Sequence, residues 1–110
     1  MDKIQVEQAI LNGADFKDIS FCDANLTGVT FENCVLNNVK FNRSILTGTS
    51  FRGSKLTDID FTGATFDKKS DFRDITQVGS TLKTICSSIH WGIAKFDGHI
   101  RDRLNILYRK

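Results

Sequence analysis

One short stretch gathers the residue types that chemistry would need. Ser87, Ser88, His90, Asp97 and His99 fall within thirteen residues of one another. A hydroxyl, an imidazole and a carboxylate are the parts of a hydrolytic relay, in which the ring takes the hydroxyl proton and the carboxylate orients the ring. That chemistry also needs a strained turn to present the serine and backbone N–H groups to hold an oxyanion. No nucleophile elbow or glycine-rich loop accompanies these residues. Cys86 and His90 stand four apart, as two metal ligands on a helix would, with His99 beyond them, yet no fourth ligand follows. Packing in a C-terminal cap or plain surface placement is the simpler role for both histidines. No catalytic set, metal site or cofactor is expected.

The other reactive groups read the same way. Cys22, Cys34 and Cys86 are odd in number and lack CxxC spacing, which argues against a disulfide framework. Gly28, Gly48, Gly53 and Gly63 do not form a phosphate loop; backbone freedom at corners explains them more simply. The 110 residues suit one domain, with 40% hydrophobic and 25% charged residues and a net charge of +2. That balance announces neither a nucleic acid nor a membrane. No apolar run approaches the ~20 residues of a spanning helix. The N-terminus MDKIQVEQAI lacks the basic and apolar regions of a signal peptide, so a cytoplasmic setting is expected.

The elements that must carry these residues follow a period of five. Leu11, Phe16, Phe21, Leu26, Phe31, Leu36, Phe41, Leu46, Phe51, Leu56, Phe61 and Phe66 form an unbroken series. Two positions before each lies a small or β-branched residue: Ala9, Ala14, Ile19, Ala24, Val29, Cys34, Val39, Ser44, Thr49, Ser54, Ile59 and Ala64. The remaining positions are mostly polar. Neither a helix nor an ordinary strand gives this pattern. Two inward and three outward side chains per unit require a chain that turns a corner every unit, and so a coil stacked on itself. A second period of twenty aligns Phe21, Phe41 and Phe61, and beside them Ile19, Val39 and Ile59. Four pentads per turn then give about three coils over residues 9–68, with these six residues stacked through the interior.

Units such as Ala14-Asp15-Phe16-Lys17-Asp18 and Ala24-Asn25-Leu26-Thr27-Gly28 resemble the A-(D/N)-L-x-x signature of pentapeptide-repeat proteins. The resemblance covers about residues 9–68 and implies an all-β solenoid, a right-handed quadrilateral β-helix. Ile19, Val29, Val39 and Ile59 depart from the small inward residue, and predict a wider coil or a less regular turn at those points.

Residues 1–8 are expected to cap the N-terminal end as a helical turn or first strand. From Ser70 the pattern changes. Ser70, Asp71 and Asp74 resemble a helix start. Val78, Leu82, Ile85, Ile89 and Ile93 fall on one helical stripe. Ile100, Leu104 and Leu107 suggest a second helix after Asp97-Gly98. Residues 69–110 are therefore expected to form an α-helical C-terminal cap that offers a homodimer contact. Charge divides at the same boundary: residues 9–68 hold seven acidic and six basic groups, residues 69–110 eight basic and four acidic.

With no active site, the outer faces are the functional surface. Val35 and Ile45, apolar at outward positions and expected on adjacent faces, are candidate partner contacts with Lys40, Arg52 and Lys55. Glu32 above Arg52 is expected to form a surface ion pair. The expected role is a non-catalytic protein-binding module. The resemblance implies a small bacterial or phage regulator or inhibitor that occupies a surface of its target. Two alternatives stand beside it. One is the topoisomerase-binding DNA mimicry known in the resembled family, which a nearly neutral repeat region fits poorly. The other is nucleic-acid binding through the basic tail, with Trp91 and Tyr108 as stacking residues.

Because Phe41 is the middle ring of its column, Phe41→Ala should cost ~3–5 kcal/mol. A thermal melt reads the loss, and a melting temperature near wild type would refute the column.

Overall fold

A computed structural model describes residues 2–108. The chain winds as a four-sided coil, each turn hydrogen-bonding to the next in parallel. One side carries strands β1 (Asp15–Lys17), β2 (Val35–Asn37), β3 (Lys55–Thr57) and β4 (Thr76–Val78), paired in sequence order. The register aligns Asp15, Val35, Lys55 and Thr76. The other three sides are columns of single bridges: Ser20–Lys40–Asp60, Gln5–Asn25–Ile45–Thr65–Ile89, and Ile10–Thr30–Ser50–Asp71–Lys95. Beyond the last coil lie α1 (Thr81–Ile85), a 3-10 turn (Trp91–Ile93) and α2 (Gly98–Tyr108).

What makes the chain turn is a left-handed residue at each corner. Every fifth residue from Lys3 to Gly63 has positive φ, between 50° and 76°. Ten of these thirteen are Gly, Asp or Asn, the types that tolerate that conformation; Lys3, Gln8 and Arg43 are the exceptions. Most corners also close a three-residue hydrogen bond, as from Ala24 N–H to the Phe21 carbonyl at 3.3 Å. The corners before Ile19 and Val39 lack it, and before Ile59 the N–H donates instead to the Thr81 hydroxyl at 3.2 Å. Those three turns follow β1, β2 and β3; the corners before Ala14 and Cys34 lack the bond as well, Cys34 N–H donating to the Ser54 hydroxyl at 3.0 Å. Val29 keeps an ordinary turn, its N–H donating to the Leu26 carbonyl at 3.1 Å.

Inside, the phenyl rings form two ladders. Phe21, Phe41 and Phe61 stack with centroids 5.4 Å apart and planes within 9°. Phe31, Phe51, Phe72 and Phe96 make a second ladder at 5.2, 5.1 and 5.0 Å. Rings of the two ladders meet edge to face, as Phe41 and Phe51 do at 80°, so each ring gains about 0.5–1.5 kcal/mol per pair beyond burial. Val39 and Ile59 are fully buried, whereas Ile19, in the first coil, is half-buried. Small inward hydroxyls satisfy the corner carbonyls below them: Thr49 donates to Leu26 and Ser70 to Leu46, both at 2.8 Å.

Several expectations are corrected. Residues 3–8 take the extended form of the two expected rather than the helical turn and make the first side of the coil, with Val6 N–H donating to the Asn25 carbonyl at 3.2 Å. The coil also runs past residue 68, and the four strands need one turn more than residues 9–68 supply. No helix starts at Ser70. One inserted residue shifts the period, after which Ser70 and Phe72 fill the inward slots, both completely buried. The stripe from Val78 to Ile93 is broken into pieces. Val78 ends β4, only Leu82 and Ile85 sit buried on α1, and Ile89 bridges to Thr65. The last coil explains this: its edge needs backbone partners, and Ile89 N–H donates to the Ala64 carbonyl at 2.7 Å while the Ile89 carbonyl accepts from Phe66 N–H at 2.9 Å.

Helix α1 replaces a missing strand above Ile59–Phe61 with hydroxyls. Thr81 Oγ1 accepts from Ile59 N–H at 3.2 Å, and Thr84 Oγ1 accepts from Phe61 N–H at 3.1 Å. Thr84 also donates to the Ile59 carbonyl at 2.7 Å. The isosteric change Thr81→Val leaves a buried N–H without its acceptor and should lower stability by about 1–3 kcal/mol. Chemical denaturation measures this; an unchanged midpoint would show that the hydroxyl does not close the coil.

Candidate functional site

The coil presents its outward residues in columns, one residue at the centre of each side per turn. The β-sheet side shows Asp15, Val35, Lys55 and Thr76; the next shows Ser20, Lys40 and Asp60. The third shows Gln5, Asn25, Ile45, Thr65 and Ile89, and the fourth Ile10, Thr30, Ser50, Asp71 and Lys95. The third column carries no charge. Ile45 and Ile89 stand on it two rungs apart, 42% and 47% exposed, so each keeps apolar surface in water.

The sequence-predicted contacts do not form one patch. Val35 and Lys55 are neighbours on the sheet side. Ile45 lies ten residues, half a turn, from Val35, which puts the two on opposite sides rather than adjacent ones. Lys40 occupies the side between them. Arg52 is at a corner, where its guanidinium meets Asp74 at 3.3 Å, both side chains exposed. The expected Glu32–Arg52 pair does not form, because the Glu32 carboxylate accepts from the Ser50 hydroxyl at 2.7 Å instead. The apolar Ile10 and Ile89 were missed as outward residues. Ile10 was legible from its column with Thr30 and Ser50. Ile89 was not, since 24 residues separate it from Thr65.

The reactive types stay dispersed. Ser88 donates to the Ile85 carbonyl at 2.5 Å, and the Asp97 carboxylate accepts from Asp74 N–H at 2.8 Å. His90 and His99 are both exposed. Among the described residues no group of three or more His, Cys, Asp or Glu could hold a metal ion. Burial raises the thiol pKa of Cys34 and of Cys86, which keeps both protonated and weakly nucleophilic. In the basic tail, Arg101 donates to the Gly92 and Ala94 carbonyls and lies 5.3 Å above the Phe96 ring. Trp91 and Tyr108 meet edge to face at 5.5 Å, Trp91 being nearly buried. Arg109 and Lys110 lie outside the described residues. No helix among the described residues is long and apolar enough to cross a membrane.

The sequence model of the pentapeptide repeat region matches residues 1–84. The chain belongs to the pentapeptide-repeat family. Among solved structures it is similar to the pentapeptide repeat protein Rfr23 from the cyanobacterium Cyanothece 51142. That match has 12% identity and a TM-score of 0.47, and covers 88% of this chain and 86% of that one. It is also similar to HetL from Nostoc sp. strain PCC 7120, a pentapeptide repeat protein involved in heterocyst differentiation regulation. There the identity is 13% and the TM-score 0.31, with 83% of this chain and 46% of HetL covered, so the chain spans under half of HetL's length. No curated protein matches. Pentapeptide-repeat chains as a family are generally not enzymes, and the repeats here place polar residues outward without converging them.

Carboxylates at the corners and sides are held by donors that give this coil an acid limit. Burial alone would raise the pKa of Asp67, but N–H groups of Gly48, Lys69 and Ser70 with the Ser70 hydroxyl lower it below the usual value. At Asp71 burial is likewise outweighed by Arg73, whose guanidinium approaches to 2.8 Å, and at Asp60 by Thr62, Asn42 and Lys40. A depressed folded pKa contributes stability that is complete above the unfolded value of about 3.9 and is lost as pH falls through the folded one. Melting temperature should therefore hold steady down to about pH 5 and fall below about pH 4, less steeply in Asp67→Asn. A rise in stability on acidification would contradict this assignment.

Proposed function

We propose that the chain is a non-catalytic protein-binding module that engages its target along the charge-free column Gln5–Asn25–Ile45–Thr65–Ile89. The observation that carries this reading is the pair of exposed isoleucines on a charge-free column. Interface centres are depleted of charge and gain most from a few desolvated apolar anchors. The column is also rigid, because its backbone is locked rung to rung: Asn25 N–H donates to the Ile4 carbonyl and Ile45 N–H to the Ala24 carbonyl, both at 2.9 Å. A preformed surface loses little conformational entropy on binding. Such a module acts as a small regulator or inhibitor by covering a surface of its partner. DNA mimicry is the weaker reading, since Lys40 and Lys55 rise from two of the sides and a duplex demands charge of one sign.

Affinity capture from bacterial lysate with three full-length baits tests the assignment. Wild type and Val35→Asp should retain the same stoichiometric protein, and Ile45→Asp should weaken its capture at least about tenfold, the effect of losing one apolar anchor. No stoichiometric partner, or one lost with Val35→Asp and kept with Ile45→Asp, would overturn it.

A further inference from the structure

The corner between the third and fourth columns is hollow. Gly28 and Gly48 hold its left-handed positions in consecutive coils, a pairing of glycines that no other corner column of the described residues makes. Gln8 stands at one end of this stretch, Asp67 and Lys69 at the other, and Thr27 and Thr47 beside it, around a cavity of about 340 Å³. Space does not demand glycine at position 48. An added Cβ would meet nothing nearer than the Gly28 backbone at 3.8 Å, and Asn33 and Asn38 hold the same conformation at other corners. The groups around the cavity keep hydrogen-bonding capacity of both kinds. The Asp67 carboxylate uses Oδ1 for the N–H groups of Gly48, Lys69 and Ser70, while Oδ2 takes no donor among the described residues. The Thr47 hydroxyl donates to Thr27 at 3.4 Å and Thr27 to Asn25 Oδ1 at 2.7 Å, so the Thr47 oxygen is left as an acceptor. Lys69 supplies an exposed ammonium that is in no ion pair among the described residues, and Gln8 an exposed amide.

We propose that this cavity binds a small neutral sugar, of mono- or disaccharide size. Its donors and acceptors lie side by side, and a ligand whose every hydroxyl both donates and accepts can match them. A simple cation drawn to Asp67 would meet the Lys69 ammonium, and a simple anion drawn to Lys69 would meet the carboxylate. An apolar ligand would find no Leu, Ile, Val or aromatic side chain among the lining residues to bury against. An added peptide strand would find no open edge, because Gln8 and Gly28 N–H already donate to the Thr27 and Thr47 carbonyls at 2.9 Å. Gln8 also lies across the floor of the groove, where a Cβ on Gly28 would meet its amide at 2.5 Å. That obstruction, with a volume near the lower end of the roughly 300–1,000 Å³ of small-ligand sites, suits a short molecule rather than a passing chain.

Amide NMR of the full chain, titrated in turn with glucose, maltose, cellobiose and trehalose, tests this. At least one sugar should shift the amides of Thr27, Gly28, Thr47 and Gly48 with a Kd of about 10 mM or tighter. Gly48→Asn, which puts a side chain into the cavity, should raise that Kd at least about tenfold with an unchanged circular dichroism spectrum. Thr47→Val, which keeps the shape and removes the acceptor, should raise it about threefold or more. Gly13→Asn, at a corner outside the cavity, should leave it unchanged. No shift with any of these sugars, shifts centred on other residues, equal shifts with ammonium or phosphate, a Kd indifferent to both Gly48→Asn and Thr47→Val, or one raised as much by Gly13→Asn would overturn the proposal.

Discussion

The corner sets everything else. A chain that must change direction every five residues needs one residue in five with positive φ, and ordinary residues resist that conformation by about 1–2 kcal/mol each. Gly, Asp and Asn at most of these positions remove much of that cost, and each corner then fixes which neighbours point inward. Once the corners repeat, side chains twenty residues apart must stack. The two phenyl ladders are thus a consequence of the corner spacing and also its main reward, since Phe41, Phe51 and Phe72 each touch rings above, below and across. Gly79 shows how tight a corner is: at φ +73°, an added Cβ would collide with the Asp58 carboxylate.

Legibility in the sequence followed regularity. The period of five and the Phe21–Phe41–Phe61 column were visible because each neighbour lies twenty residues away. The second ladder was half visible. Phe31 and Phe51 keep the spacing, but Phe72 follows after 21 residues and Phe96 after 24. A fixed comparison cannot detect a spacing that changes. Beyond Ser70 the chain alternates between supplying backbone to an open edge and packing a short helix on top. Apolar residues spaced for a helix, such as Val78 and Ile89, therefore entered extended segments instead. Local pattern was overruled by the hydrogen-bonding needs of the coil beneath.

The outward residues were legible in the sequence, and the sides they occupy were not. Register told outward from inward, and Val35 and Ile45 are both outward. Which side each occupies is a matter of counting quarters of a turn, and the count separates them by two. Some surface charges form short local pairs, Arg43 with Asp23 at 3.0 Å and Arg73 with Asp71 at 2.8 Å. Such pairs add little long-range steering, so the binding role proposed above rests on shape and on the few apolar side chains left in water.

The changing spacing between ladder members separates pitch from chain length. Ring contacts hold at 5.0–5.2 Å along Phe31, Phe51, Phe72 and Phe96 although the intervening segments grow from 20 to 24 residues. Extra residues are absorbed sideways, at corners such as the turn that Asp67 organises around Lys69 and Ser70. For protein engineering this makes the corners insertion ports: a tag or recognition peptide placed there would lengthen the perimeter locally and leave the axial repeat intact.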